Sequence, residues 1–404
     1  MKVHQQLKRQ ISSPTDFENS RPFLPDINSF SSLNCQRAWV EISLNNLVHN
    51  VKAIKTLLSP QTAFMAVVKA DAYGHGARVV AQKVLEHGAD WLAVATVNEG
   101  IELRQSGISA PILLLGAISS PEEVSKIAEW QLQPTIGDRL QAEAISEVLS
   151  ELKITLPVHL KIDTGMSRLG TSWQQGTEFV RVVKQLPYLQ VASIYSHLAT
   201  ADDLDQATML LQQQRFNSCI TQLKDQQITL PSLHLANSAA TIINKSAHYD
   251  LVRVGLALYG LYPAEHLKSD IDLKPVLEVK ARITQIKTLP PETGVSYGHK
   301  YISDRPITVA VVSIGYADGV VRNLSNKLQV IVRGQLVRQI GAITMDQLMI
   351  DVSELSDLQA GEIVTLIGQD GKQTISADDW ATNLGTISWE ILCGFKHRLP
   401  RVIK

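Results

Sequence analysis

Between residue 60 and about residue 255 the chain repeats one pattern, a short apolar run followed by a longer stretch with apolar residues at helical spacing. Such a pattern builds strand–helix units, because a strand apolar on both faces needs a cover that the amphipathic helix after it supplies. The strand candidates are 64–68, 91–95, 112–115, 134–136, 156–162, 191–195, 233–236 and 251–254, with amphipathic segments such as 76–87 and 178–185 between them. Eight units predict an N-terminal (β/α)8 barrel of the TIM type; periodicity leaves an open doubly wound sheet as the alternative. After about residue 268 the pattern changes to β-rich runs, LEVKARITQIKTL, ITVAVVSIGY, LQVIVRGQLVRQIG and GEIVTLIG, broken by Gly, Pro, Asp and Asn. The expected class is therefore α/β plus β. A mobile polar tail is expected over 1–37, a barrel over 38–268 and a mainly β domain over 269–404, with the strand at 38–44 able to pair with that last domain.

Composition narrows the function. Lys and Arg together number 38 against 39 for Asp and Glu, and no local basic run appears, so a nucleic-acid or acidic-membrane footprint is missing. Three scattered cysteines, Cys35, Cys219 and Cys393, form neither a disulfide framework nor a metal-binding pair, and no metal is expected. The N-terminal residues carry no apolar stretch of the signal type, and no segment is long enough to cross a bilayer, so the expected compartment is cytoplasmic.

A barrel places its active site on the loops after the C-terminal strand ends. Polar residues gather at those positions: Lys69 and Tyr73 after the first strand, Lys161, Asp163 and Arg168 after the fifth, His197 after the sixth, Asn237 and Ser238 after the seventh, Arg253 and Gly255 at the eighth. A ring of cations and hydroxyls suits a small anionic ligand. Lys69, in AVVKADAYGHG, ends an apolar strand, where desolvation favours a neutral, nucleophilic amine. Taken alone it reads first as a lysine snorkelling to the rim, and its context reverses that reading. NSAA taken alone reads equally as a helix N-cap or a ligand contact, and His197 as a satisfied rim histidine.

The motifs AVVKADAYGHG, HLKIDTGMSRLG, YSHLATAD, HLANSAA, RVGLALYG, VSYGHKY, IGYADG and ITMDQ stand in the order and spacing of the alanine racemases, which the chain resembles from about Trp39 to the final LPR segment. The resemblance implies a pyridoxal 5'-phosphate enzyme that interconverts L- and D-alanine, supplies D-alanine for peptidoglycan, and works as a homodimer with shared active sites. It implies that Lys69 joins the cofactor covalently and that Lys69 and Tyr297 are the two catalytic bases. Tyr73, Ser238, Gly255 and Leu256 would surround the phosphate, Arg253 would face the pyridine nitrogen, and His197 would link Arg253 to Tyr297. Arg168 and the backbone N–H of Met345 would hold the substrate carboxylate. Tyr316 and the Tyr259/Tyr262 region resemble residues near the substrate entrance, and Lys161 matches a lysine carbamylated in some members.

Two positions depart from the common pattern. Trp389 stands where many relatives place a phosphate-binding tyrosine; its indole donates one hydrogen bond and accepts none, which leaves it as a phosphate contact or a packing residue. Thr344 replaces a frequent cysteine beside Met345. An arginine at the pyridine nitrogen does not readily give up a proton, so the electron sink is weak and prompt reprotonation at Cα is favoured over transamination. The alternatives are a serine or broad-specificity racemase, an amino-acid decarboxylase, against which Arg253 argues, and a non-catalytic pyridoxal-phosphate carrier, which would lack the β domain.

Overall fold

In the computed structural model, residues 36–118 and 120–404 are described; the expected tail over 1–37 lies, except for Gln36 and Arg37, outside them. The strands are β1 (Ala38–Ile42), β2 (Ala63–Val67), β3 (Trp91–Val94), β4 (Ile112–Leu114), β5 (Gln133–Ile136), β6 (Leu156–Asp163), the short β7 (Thr171–Ser172), β8 (Leu189–Tyr195), β9 (Ser232–His234) and β10 (Leu251–Val254). Eight of them run parallel in the order β10-β2-β3-β4-β5-β6-β8-β9, with β7 hanging off β6. The ladder nearly closes on itself. At the seam between β9 and β10 it is completed by single bonds: Arg253 N–H donates to Ala236 O (3.0 Å), and Asp250 exchanges bonds with Leu233 through its backbone and its carboxylate. The structure thus selects the barrel over the open sheet.

Alternation along each strand divides the barrel wall into two faces. Phe64, Ala66, Leu92, Val94, Ile112 and Leu114 pack outward against the helices, whereas Met65, Val67, Ala93, Leu113 and Leu251 form a separate apolar cluster. The positions that bond to one another inside the other half of the wall are polar: Thr135, His159, Ser193, Tyr195, His234 and Arg253, all buried. Between strands the helices begin where side chains cap them. Thr96 and Glu99 form a capping box at Val97–Gln105, Ser120 caps Pro121–Glu129, and Asp138 caps Arg139–Leu152.

The second part of the chain contributes β11 (Leu277–Leu289), β12 (Ile307–Val312), β13 (Gln329–Val332), β14 (Gln335–Ile340), β15 (Leu348–Asp351), β16 (Ile363–Asp370), β17 (Gln373–Ile375) and β18 (Arg401–Ile403). They form one mainly antiparallel sheet in the order β17-β16-β13-β14-β15-β12-β11-β1-β18. β1, which precedes the barrel in sequence, pairs antiparallel with β11 (Val40 opposite Val279) and parallel with β18 (Glu41 opposite Val402). The chain therefore starts the β domain, builds the barrel, and returns to finish the sheet.

Candidate active site

Lys69 leaves the end of β2 on an unusual backbone. Ala70, Asp71, Ala72 and Tyr73 all lie in the left-handed region, with φ between 52° and 55°. None is glycine, and each costs about 1–2 kcal/mol in that conformation. The turn is held from several sides. Glu99 Oε1 accepts from Ala70 N–H (2.7 Å), Asp71 Oδ1 accepts from Ala77 N–H (2.7 Å), and the His75 Nδ1–H donates to Ala72 O and Tyr73 O. Arg401, from β18, donates to Gly74 O at 3.1 and 2.9 Å. Gly74 has φ +84°, and a Cβ there would lie 2.6 Å from Leu392 O, in the helix Ser388–Gly394. Only glycine lets the two backbones meet.

This turn carries Tyr73 under the barrel mouth. Its ring centroid lies 4.9 Å from that of Tyr259, and its hydroxyl comes so close to Gly255 that a Cβ on Gly255 would be 2.7 Å away. Burial pushes the Tyr73 phenol up to about 12, so it remains a neutral donor. Ser238 Oγ accepts from Gly255 N–H (3.1 Å) and Ala257 N–H (3.4 Å). Asn237 caps Ser238–Ile243 through Ala240 N–H, so for Asn237 the plain reading as an N-cap is the observed one.

Cations converge beside this cradle. Lys69 is held below the ordinary lysine range by burial and by the Arg168 charge. Lys161 falls to about 7, through burial first and then Arg253 and Arg168. Burial lowers buried Arg253 to about 10. His197 is held neutral by burial and by the same cations. Among the described residues, no carboxylate forms an ion pair with Lys69, Lys161, Arg168 or Arg253. Arg253 Nη2 donates to Ser196 O (2.7 Å), Leu235 O (3.1 Å) and His197 Nδ1 (3.2 Å). Asp163 Oδ1 accepts from the backbone N–H groups of Gly165, Met166 and Ser167, shaping the loop that carries Arg168 along a cavity of about 530 Å³. Buried Gln212 links the loops by donating to His197 O and Thr164 Oγ1 and accepting from Ala199 N–H.

Three loops of the β domain form a second group. Ser296 Oγ donates to Ala342 O, Tyr316 N–H to Thr344 O, and Ala317 N–H to Met345 O. Tyr297, Tyr316 and Met345 stand on these loops with 72%, 42% and 52% of their surface exposed. Thr344 closes its own turn through Gln347. Tyr259, by contrast, is not at an entrance: it is 1% exposed and its hydroxyl donates to Val67 O. Tyr262 is likewise tied down by Ile271 O and Leu273 N–H. Trp389 is half-buried on the helix Ser388–Gly394. Glu99, Gln212 and Arg401 escaped sequence reasoning; the Thr96–Glu99 capping pattern was the one visible signal, and it pointed to a helix start.

A half-buried lysine amine, hydroxyls converging on a glycine backbone, and cations without carboxylate partners at a barrel mouth fit a phosphorylated aldehyde and, with the β domain, the barrel class of pyridoxal-phosphate enzymes. The alanine racemase N-terminal domain family matches residues 42–263 and the corresponding C-terminal domain family matches 276–403. An alanine racemase of Synechocystis sp. is 63% identical over 91% of this chain and 99% of its own length, and one from Nostoc sp. is 63% identical over 91% and 96%. The solved alanine racemase of Clostridium difficile superposes with a TM-score of 0.88 at 35% identity, covering 92% of this chain and 96% of that one. The chain belongs to the alanine racemase family.

Proposed function

We infer that the protein interconverts L- and D-alanine, with Lys69 serving one face of the substrate Cα and Tyr297 of the partner subunit serving the other. Pyridoxal phosphate, when bound, supplies the electron sink without which an amino-acid α-hydrogen is too weakly acidic to leave at neutral pH. Lys69, poor in protons for a lysine because of its partial desolvation and the Arg168 charge, would hold the aldehyde end of that group, and its Nζ would hold or return a proton on one face of Cα. Tyr73, Ser238 and the backbone at Gly255 and Leu256 hold the phosphate, and Trp389 has one N–H to offer it. Arg168, with the backbone N–H of Met345 of the partner subunit, binds the substrate carboxylate.

Arg253 would face the pyridine nitrogen as a donor that keeps its own proton, which would limit transamination. It also orients His197. Since Nδ1 of His197 accepts from Arg253, the neutral ring carries its proton on Nε2, free to stabilise a tyrosine phenolate. The product would serve peptidoglycan synthesis in the cytoplasm. The observation that carries this reading is the set of four cations without carboxylate partners beside the Tyr73–Ser238–Gly255 cradle.

The test is to mix purified protein with L-alanine and follow D-alanine before and after the cofactor is removed. Formation of D-alanine that stops on removal and resumes on reconstitution is expected. Cofactor binding with no racemisation would leave a carrier instead. L-serine in a parallel assay separates an alanine-selective enzyme from a broad one.

A further inference from the structure

The polar half of the barrel interior is not a collection of isolated residues. Gln133 on β5, His159 on β6, Ser193 on β8, His234 on β9 and Arg253 on β10 each come from the next strand around the wall. Their side chains bond in series: Gln133 Oε1 to His159 Nε2 (2.8 Å), His159 Nδ1 to Ser193 Oγ (2.6 Å), Ser193 Oγ to His234 Nε2 (2.7 Å), and His234 Nδ1 to Arg253 Nη1 (2.8 Å). His159, Ser193, His234 and Arg253 are all buried.

A guanidinium has N–H groups and no lone pair to offer, so its end of the series fixes every other link. His234 Nδ1 must accept, which puts that ring's proton on Nε2, where it is donated to Ser193 Oγ. Ser193 then spends its one O–H on His159 Nδ1, and the proton of His159 sits on Nε2 and goes to Gln133. Each donor meets an acceptor in this direction alone. The ring of His234 is also pinned from its face, stacked on Tyr195 at 4.7 Å and 3°. Tyr195 is itself fixed: its hydroxyl donates to Thr135 Oγ1, which donates to Leu114 O. Arg253 and Lys161 lie over the same Tyr195 ring at 5.0 and 4.4 Å, the charged groups nearest the series.

We propose that Gln133, His159, Ser193 and His234 form a one-directional positioning chain for Arg253, with both histidines neutral and protonated on Nε2, and that Ser193 is the link on which its alignment depends. The role of Arg253 rests on the reading given under Proposed function; the direction of the chain does not. At the seam where the β9–β10 ladder is incomplete, Ser196 O, Leu235 O and His197 Nδ1 hold Nη2 of Arg253, and His234, at the end of the series, is the side chain that holds Nη1.

Two measurements on the holoenzyme test this. With histidine ring nitrogens isotope-labelled, and signals assigned by loss in His159→Gln and His234→Gln, nuclear magnetic resonance should show both rings protonated on Nε2 only, from about pH 5 to about pH 9. A proton on Nδ1 of either ring, or a charged ring in that range, overturns the direction. In kinetics, Ser193→Ala should lower kcat about tenfold with KM within about twofold, and Ser193→Thr, which keeps the hydroxyl, should recover most of the loss. A folded Ser193→Ala enzyme with the parent kcat overturns the positioning role. Should Ser193→Ala not fold, His159→Gln breaks the series one link further from Arg253 and is read in the same way. A parent enzyme that shows the two tautomers without racemising alanine would instead sink the functional reading.

Discussion

In water a lysine amine keeps its proton to about pH 10.4. Lys69 is half-buried with Arg168 nearby, and both its partial desolvation and that charge disfavour the cation. The rate at which apoprotein recombines with pyridoxal phosphate should therefore rise with pH at values below that ordinary lysine midpoint. Borohydride should then fix the cofactor to Lys69, and peptide mapping that finds it on Lys161 would reassign the nucleophile. Lys161, lowered to about 7, makes a second prediction. Between about pH 7 and about pH 10.4 the unfolded chain binds a proton that folded Lys161 has lost, so stability of the apoprotein should gain with pH across that window. Lys161→Met should flatten the gain, seen as a weaker pH dependence of Tm; an unchanged slope would show that Lys161 is charged in the folded protein. Arg168→Ala removes a carboxylate partner and should act mainly through KM.

At the level of elements, the left-handed turn after β2 depends on contacts from outside itself. Glu99→Ala strips the acceptor shared by Ala70, Ala95 and Thr96 N–H; these donors are exposed or part-buried, so each lost bond costs its net worth of about 0.5–1.5 kcal/mol. It should lower Tm and cofactor affinity together. Gly74→Ala, strained at φ +84° and pressed against Leu392 O, should cost at least as much; a variant of parent stability would mean the helix Ser388–Gly394 shifts freely. The turn itself was not legible in the sequence, because ADAY holds no glycine and its conformation is imposed by residues 99 and 401. The barrel strands were legible: each expected run overlaps an observed one, since their apolar character comes from burial on both faces. The mouth residues followed from the strand ends. The series through His159 and Ser193 did not, because each link crosses from one strand to the next over an intervening helix or loop and a single buried histidine looks the same with or without a partner.

For the whole molecule, the issue is how a residue of the β domain serves a lysine of the barrel. Within the described chain the helix Ser388–Gly394 and Arg401 reach the Lys69 turn, whereas Tyr297 and Met345 stand exposed on their loops. A two-fold pair in which each β domain covers the other barrel completes two equivalent sites and keeps water from the reacting carbon. The measurement that decides this is complementation between two inactive forms, Lys69→Ala and Tyr297→Phe, mixed under conditions where subunit exchange is demonstrated. Both lesions then fall in one site of a mixed dimer and leave the other intact, so activity should return to about one quarter of the parent level, half the dimers being mixed and each having one working site. Activity that stays at the level of the separate variants, with exchange shown, would contradict a site built from two chains.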